Sequence, residues 1–252
     1  MLEVRALSKR FGGLQAVRDV ALDVPEGSIT ALIGPNGAGK TTTFAMIAGF
    51  IRPDSGSVRF LGQDVTGMRP DRIAALGMVR TFQITQPFAG LSVMENIRIG
   101  AFLRDANPGA AEAKARAVGD RLGLGPMLDR PAAALTVAGR KRLEVARALA
   151  TQPRLLLLDE VMAGLNPSEL GEIVAMIRTV RDSGVTVLLI EHIMAAVAAL
   201  ADDVHVLAGG ALIAQGTPKD IAANPAVVEA YLGHGAAARM AQAGKAPDGA
   251  HA

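Results

Sequence analysis

The chain has 252 residues, of which 50% are apolar and 20% are charged. This is enough apolar sequence for one large α/β domain, or for one domain with an inserted lobe, and too little charge for a disordered chain. A net charge of +2, 3% aromatic residues and no cysteine exclude a strongly basic nucleic-acid surface, an extensive base-stacking platform and thiolate or disulfide chemistry.

Two further exclusions concern membranes. The opening Met-Leu-Glu lacks the basic and then apolar segment of a secretory signal. The longest apolar runs, at residues 185–190 and 193–201, are far shorter than the roughly 20 residues that cross a bilayer. We therefore expect any membrane role to depend on a partner.

The first elements in the chain are predicted strands. Residues 2–5 and 17–24 alternate apolar and polar side chains, and residues 25–28, Pro-Glu-Gly-Ser, form a turn signal. They predict an antiparallel β layer that leads into the continuously apolar strand 29–33.

A glycine-rich segment, GPNGAGKTT at residues 34–42, directly follows that strand. Gly34, Gly37 and Gly39 allow the backbone to bend so that successive N–H groups point at an anion. Lys40 supplies a charge for the β- and γ-phosphates, and the Thr41 hydroxyl is placed to bind Mg²⁺. The predicted phosphate contacts are Gly34, Asn36, Gly37, Ala38, Gly39, Lys40, Thr41 and Thr42. A chance glycine-rich turn is the alternative, but the strand and helix on either side favour a nucleoside triphosphate site.

After the glycine-rich segment, the chain is predicted to contain helix, strand and loop as far as residue 90, and mainly helices after that. A helix is predicted at 42–48, a strand at 77–82 and a loop at 83–90. Three helices then follow without an intervening strand, at 91–104, 110–122 and 137–150. This pattern predicts an all-α insertion over about residues 84–152.

Strands and helices alternate again in the last part of the chain. Apolar strands are predicted at 155–158 and 185–190, helices at 168–181 and 193–201, and a hairpin at 204–207 and 212–215. Continuous β-branched and leucine runs are typical of a parallel sheet that is covered on both faces. The tail after Gly233 lacks periodicity, so we expect residues 234–252 to be disordered.

Two carboxylates follow the strand 155–158. Asp159 and Glu160 would lie at the carboxyl end of a buried parallel strand, where ligands bind in such sheets. Asp159 could orient Mg²⁺, and Glu160 could polarise a water for attack on the γ-phosphate. The alternative is an acidic pair that only caps the strand.

A histidine follows the strand 185–190. On its own, His192 is more often a structural residue than a functional one. Beside the carboxylates of a neighbouring strand, however, it becomes a candidate contact to the γ-phosphate. His205, His234 and His251 have no such context, and we interpret them as surface or strand residues.

With these motifs, residues 1–233 resemble the ATP-binding subunit of an ATP-binding-cassette (ABC) transporter. The resemblance implies a P-loop NTPase core with a mostly parallel sheet, an N-terminal antiparallel β layer and an inserted α-helical subdomain. It also implies ATP and Mg²⁺ as cofactors and a peripheral position on the cytoplasmic face of the membrane. The resemblance gives Phe11 the role of stacking on adenine and Gln83 the role of contacting Mg²⁺ and the attacking water. It identifies Thr136, Val137, Ala138 and Gly139 as the signature motif and residues 163–166 as the loop that crosses a dimer interface. His192 matches the histidine of the family that contacts the γ-phosphate and acts as a switch.

Several positions depart from the family pattern. The signature normally reads Leu-Ser-Gly-Gly-Gln, whereas Thr136 stands for serine, Ala138 for the second glycine and Gly139 for glutamine. Asn166 replaces an aspartate and Val161 a proline. We expect Ala138 to add a Cβ where close backbone approach is needed, so the half-site offered to a partner is weaker than the chain's own phosphate loop.

Within the family, the resemblance is strongest to the ATPases of branched-chain amino-acid importers. It depends on GPNGAGKTTTF, RTFQ, KRLEVARAL, AGLNP, LLIEH and the ending QGTP, NP and YLG. Such importers contain two ATPase subunits and two integral-membrane permeases. A substrate-binding protein is an indirect partner, and the resemblance implies no nucleic-acid partner. Apolar residues in the loop 84–91, notably Phe88, could dock a permease helix or pack into the helical lobe.

Three alternatives stay open at this stage. An ATPase of lipopolysaccharide-export type shares GPNGAGKTTTF and the YLG ending. A soluble ABC-type ATPase of DNA repair or translation usually has a coiled-coil insertion or tandem cassettes, which this sequence lacks. A regulatory cassette with weak hydrolysis is suggested by Ala138 and Asn166. The pattern also leaves open whether the ATPase pair is a homodimer or a heterodimer.

Overall fold

A computed structural model describes residues 1–81 and 87–232 of the chain. The described strands are β1 (Leu2–Phe11), β2 (Leu14–Val24), β3 (Ile29–Ile33), β4 (Ser55–Phe60), β5 (Gln63–Asp64), β6 (Met78–Arg80), β7 (Leu155–Asp159), β8 (Thr186–Ile190), β9 (Asp203–Ala208) and β10 (Ala211–Gly216). The described helices are α1 (Lys40–Ile47), α2 (Pro70–Leu76), α3 (Val93–Ala101), α4 (Pro108–Arg121), α5 (Val137–Ala150), α6 (Pro167–Asp182), α7 (Met194–Leu200), α8 (Pro218–Ala223) and α9 (Pro225–Leu232).

The strands form two sheets. The first is antiparallel, in the order β2-β1-β4-β5, and the second has the order β10-β9-β3-β8-β7-β6. In the second sheet β3 runs parallel to β8 and β9, and β7 runs parallel to β6 and β8, while β10 is antiparallel to β9. The predicted α/β class, with a mostly parallel sheet and an N-terminal antiparallel layer, is confirmed.

The parallel sheet is covered on both faces, which explains its continuous apolar runs. Every residue of β3, β7 and β8 is buried. Alternate residues point to opposite sides, as strand geometry requires. Leu156 and Leu158 join the core beneath the helices, whereas Leu155 and Leu157 join the core that contains α1 and the antiparallel sheet.

The described part of the segment between β6 and β7 contains the helices α3, α4 and α5, which are joined by turns and loops. Helix α3 packs against α4 and α5, and two single 3₁₀ turns lie at 125–127 and 132–134. Helix α3 begins at Ser92, whose hydroxyl accepts a hydrogen bond from the Glu95 N–H while the Glu95 carboxylate accepts one from the Ser92 N–H. This capping box fixes the start of α3 two residues later than the predicted start at residue 91.

Several elements are absent from the sequence-based prediction. Strand β1 continues to Phe11, and β4, α2, α8 and α9 are additional. Helices α2, α8 and α9 each start with proline, which is favourable at the first helical position although it is also a common turn signal. In α8, Thr217 and Asp220 form a capping box, which is also a signal for the start of a helix.

Two predicted features lie outside the described residues. These are Gln83, with its loop as far as residue 86, and the tail from Gly233 onward. Within the described ranges, every helix is too short or too polar to cross a membrane.

Candidate functional site

The parallel sheet brings the predicted site segments to one edge. The carboxyl ends of β3, β7 and β8 lie together there, because Ile190 on β8 is opposite both Leu32 on β3 and Asp159 on β7. The phosphate loop, the Asp159–Glu160 pair and the Glu191–His192 pair follow these three ends directly. Segments that are more than 100 residues apart in the chain therefore meet at a single position in the fold.

The phosphate loop is wedged between neighbouring backbones. A Cβ on Gly34 would lie 2.0 Å from the Leu207 carbonyl oxygen, and one on Gly39 would lie 2.5 Å from the Ala16 carbonyl oxygen. Both glycines have positive φ, 149° and 100°. Glycine is thus required at these two positions by close approach as well as by backbone conformation. The Gly210 N–H also donates to the Ala38 carbonyl at 3.2 Å, so the β9–β10 turn supports the loop.

Lys40 lies beneath the loop. Its buried Nζ donates to the Gly34 carbonyl at 2.7 Å and to the Pro35 carbonyl at 3.0 Å. Burial lowers the pKa of Lys40, and the negative charges of Glu160 and Asp159 oppose that shift. The ammonium group is therefore held between the loop and the two carboxylates, where it can balance added phosphate charge.

The loop forms one wall of an open cavity of about 580 Å³, a volume in the usual range for ligand sites. The cavity is lined by Phe11, Leu14, Gln15, Ala16, Asn36, Gly37, Ala38, Gly39, Lys40, Thr41, Thr42, Glu160, Gly209 and Gly210. Phe11 ends β1 with 46% of its surface exposed, so it is not a core phenylalanine. Its ring, with Lys9 Nζ 5.6 Å from the centroid, is available for stacking.

Asp159 is buried and held from one side. The Arg80 guanidinium donates to Asp159 Oδ2 at 2.7 Å, and the Asp159 N–H donates to the Thr81 hydroxyl at 3.2 Å. The other carboxylate oxygen, Oδ1, is buried and has no hydrogen-bond partner among residues 1–81 and 87–232. Since buried polar atoms normally have partners, the lack of a partner for Oδ1 among the described residues needs an explanation.

Glu160 adopts a conformation that is uncommon for a residue with a side chain. Its φ is 49°, in the left-handed region that costs such residues energy and often occurs at functional sites. The Glu160 N–H donates to the Ile190 carbonyl at 3.0 Å. The half-buried side chain lines the cavity that also contains Lys40.

His192 follows β8 and is exposed. It lies at the same edge of the sheet, but its side chain is not one of those that line the cavity. Its predicted contact to the γ-phosphate stays a prediction. Gln83 falls outside the described residues, so its predicted role stays a prediction.

The predicted signature residues lie elsewhere, at the start of α5. The Thr136 hydroxyl caps the helix by accepting the Gly139 N–H at 3.1 Å. Ala138 is 6% exposed, whereas Val137 is 44% exposed. The Ala138 methyl group is therefore buried within this chain, and the side chain presented at the surface is that of Val137. The expectation that a Cβ at position 138 hinders approach to a partner's nucleotide stays a prediction. None of these four residues lines the cavity.

Sequence reasoning missed three polar residues of this edge. Arg80 bonds Asp159, the Glu191 carboxylate accepts the Met162 N–H at 3.0 Å, and Lys141 Nζ reaches the Glu160 carbonyl at 3.4 Å. For Glu191 a signal was present, since a charged residue directly after the fully apolar run of β8 is unusual. For Arg80 and Lys141 the contact depends on strands and helices that are distant in sequence.

Comparison with known proteins identifies the family. Residues 17–163 match the family model described as ABC transporter, and residues 211–237 match the model described as branched-chain amino acid ATP-binding cassette transporter. The chain is 40% identical to the high-affinity branched-chain amino acid transport ATP-binding protein BraF of Pseudomonas aeruginosa over 250 residues, covering 92% of this chain and 98% of BraF. It is also 40% identical to LivG of Escherichia coli, a protein of the same description, with the same coverage.

Solved structures agree with this assignment. A nucleotide-free ATP-binding cassette from an ABC transporter has a TM-score of 0.85 and 32% identity, covering 93% of this chain and 99% of the other. The ADP conformation of an ATP-binding cassette of an ABC transporter has the same TM-score and coverage, with 33% identity. The chain belongs to the ABC transporter family and is a nucleotide-binding ATPase subunit of that family.

Proposed function

We propose that this chain hydrolyses ATP to drive a membrane importer of branched-chain or related amino acids. The observation that carries the proposal is one cavity formed by the phosphate loop, Lys40 and Glu160, beside Asp159. The cargo class is supported by the names of relatives that align over nearly their whole length and by the match at residues 211–237.

The phosphates of ATP are placed against the loop. Its N–H groups and the amino end of α1 favour oxyanions, and Lys40 exchanges its carbonyl partners for the β- and γ-phosphates. The adenine is placed on Phe11, which lines the same cavity. An exposed aromatic side chain beside a phosphate site provides a stacking face for the base.

The residues present fit a magnesium ion. Asp159 Oδ1 is buried without a partner in the described part of the chain, and the Thr41 hydroxyl is exposed at the start of α1. Hydroxyl and carboxylate oxygens are ligands that Mg²⁺ prefers, and Gln83 completes the proposed set. Bound there with ATP, Mg²⁺ would neutralise charge on the phosphates.

Glu160 is proposed as the group that polarises the attacking water. The left-handed backbone at Glu160 places its side chain in the cavity wall near Lys40. A carboxylate in that position can accept the proton of a water aligned with the γ-phosphate. Gln83 and His192 are proposed to orient the same water and to sense the γ-phosphate.

A second ATPase subunit is proposed to complete the site. Thr136 and Val137 at the start of α5 are exposed, and the start of α5 does not line this chain's cavity. Helix amino ends favour phosphate, so Thr136, Val137, Ala138 and Gly139 are placed against nucleotide held by the partner. The partner is either an identical chain or a related one.

Two permease subunits are proposed as the driven partners, with this chain peripheral on the cytoplasmic face of the membrane. Phe88 is 48% exposed, with the Arg147 guanidinium 4.9 Å from its ring. Ile99, Phe102 and Leu103 on and after α3 are also more than 40% exposed. These side chains favour docking of a permease helix over packing inside the lobe. A substrate-binding protein acts indirectly, and no nucleic acid takes part.

The test is reconstitution of the chain with the permeases that copurify with it. We expect ATP-dependent uptake of leucine, isoleucine or valine in vesicles, and loss of both uptake and ATP turnover in Glu160→Gln with ATP binding retained. Uptake of amides or urea alone would change the cargo, and undiminished turnover in Glu160→Gln would refute the assignment of the base.

A further inference from the structure

We propose that Glu191 is a positioning residue for ATP hydrolysis: its buried carboxylate holds the turn that carries Glu160. The inference rests on the proposed hydrolytic role of Glu160 and adds a residue whose function is to fix the backbone of that group. Glu191 itself is not among the described residues that line the cavity.

The position of Glu191 is unusual for a carboxylate. It follows β8, whose five residues are all buried, and it is itself 0% exposed. Glutamate is rarely buried completely unless a specific partner compensates for its lost hydration. Here the partner is a backbone group, since Oε1 accepts the Met162 N–H at 3.0 Å.

That hydrogen bond closes a set of contacts around the turn at residues 160–163. The Glu160 N–H donates to the Ile190 carbonyl at 3.0 Å, and the Ala163 N–H donates to the Glu160 carbonyl at 3.2 Å. Lys141 Nζ approaches the same Glu160 carbonyl at 3.4 Å from α5. The end of β8 therefore holds the turn at two points, and the helical segment holds it at a third.

The turn needs such support because Glu160 has a left-handed backbone. A residue with a side chain keeps that conformation only where the surrounding structure enforces it. Without an acceptor at Glu191, the Met162 N–H would be buried and unpaired, and the turn would relax toward a conformation that repairs it. Such a shift would move the Glu160 carboxylate away from the γ-phosphate position, while the phosphate loop would keep its shape.

The test compares two substitutions of similar size. Glu191→Gln keeps an acceptor oxygen at the Oε1 position, whereas Glu191→Leu fills the space and removes the acceptor. In the full chain with its permeases, we expect Glu191→Leu to lower kcat about tenfold or more, since small misplacements of catalytic groups have effects of this size. We expect Glu191→Gln to keep most of the turnover, and both variants to bind ATP as the parent does.

Amide hydrogen exchange at Met162 supplies a readout that does not depend on turnover. We expect slow exchange in the parent and in Glu191→Gln, and fast exchange confined to residues 160–163 in Glu191→Leu. If Glu191→Leu does not fold, Glu191→Ala and Glu191→Gln give the same contrast between absent and present acceptor.

Three results would overturn the proposal: full turnover in a folded variant without the acceptor, equal loss in the Gln and Leu variants, or a loss that follows ATP affinity rather than kcat. A parent that does not hydrolyse ATP would instead refute the proposed function. In that case the exchange measurement still decides whether Glu191 holds the turn.

Discussion

The phosphate loop and the start of α5 are both ATP-contacting regions in the family, but they differ in how far this chain alone encloses them. At the edge of the parallel sheet, the phosphate loop is enclosed by Ala16 on β2, Leu207 on β9 and the Gly209–Gly210 turn. At the start of α5, by contrast, a capped helix end presents Val137 to solvent. The first region is enclosed by other parts of the same chain, whereas the second leaves an apolar side chain uncovered within this chain.

This difference in enclosure indicates at which positions the chain can differ from the family pattern without disturbing its own fold. A Cβ at Gly34 or Gly39 would overlap backbone atoms of the same chain, so these positions allow no replacement without movement. The start of α5 meets no such internal constraint at Val137. Replacements in the loop would therefore affect the fold and the site together, whereas a replacement of the exposed Val137 would not meet this constraint.

The largest effect is expected from removing the charge at the phosphate loop. Lys40→Ala should weaken ATP binding by about 2–3 kcal/mol, the scale of hydrogen bonds made by a charged group, because no other ammonium lies under the loop among the lining residues. Isothermal titration with ATP measures this. Lys219→Ala, an exposed lysine at the start of α8, is the matched control, and equal weakening in both variants would contradict the assignment.

Stability should depend on pH through Glu191 at the same edge. Burial raises the pKa of Glu191 to about 7, although the N–H groups of Met162 and His192 and the charge of Lys141 act in the opposite direction. The folded state therefore favours the protonated form, and this contribution to stability is fully present below the ordinary pKa of about 4.5 and is lost as pH rises through about 7. Its size is on the order of 3 kcal/mol.

Denaturant unfolding of the parent and of Glu191→Gln, from pH 5 to pH 8, checks this prediction. The variant cannot titrate at this position, so its stability relative to the parent should increase as pH rises. Titrating groups away from Glu191, such as His205 on β9, are common to both proteins and cancel. A difference that stays constant with pH would contradict the raised pKa.

A methyl group added inside the loop should destabilise the whole domain. Gly39→Ala places a Cβ 2.5 Å from the Ala16 carbonyl at a φ of 100°, and a cost of about 1–3 kcal/mol is expected for strain of this kind. Gly171, in the exposed part of α6, has nothing within 4 Å of its Cβ position. Gly171→Ala should be neutral or slightly stabilising in thermal unfolding, and similar losses in both would show that the close approach is unimportant.

The smallest loss of stability in the isolated chain is expected from a substitution at the start of α5. Thr136→Ala removes the cap on the Gly139 N–H and should cost about 1 kcal/mol of stability, with ATP affinity unchanged. In the assembled ATPase it should also lower turnover, because the cap shapes the surface offered to the partner.

Asn107, which caps α4, provides the control for that prediction. Asn107→Ala should cost a similar amount of stability without reducing turnover of the assembled ATPase. If both variants lose turnover equally, the effect of Thr136 is one of stability alone, and the proposed contact to the partner's nucleotide is wrong.

Much of the fold could be predicted from local patterns. The continuous apolar runs of β3, β7 and β8 predicted a parallel sheet covered on both faces, and α5 has the predicted bounds. Elements that begin at proline, such as α8 and α9, were missed because Pro218 and Pro225 are compatible with a turn as well as with a first helical residue. In the site, the positions of the loop and of Asp159 and Glu160 at the ends of their strands were predictable, because each depends on a short local context.

The sequence by itself determined the family, the phosphate loop and the residue types at the ends of the strands. These properties depend on neighbours within a few residues, such as the glycines and the lysine between a strand and a helix. Only the tertiary structure decided that Arg80 bonds Asp159, that Glu191 holds the Met162 N–H, and that Val137 rather than Ala138 is exposed. Each of these depends on how strands and helices pack, which local patterns leave open because burial and pairing are set by segments distant in the chain.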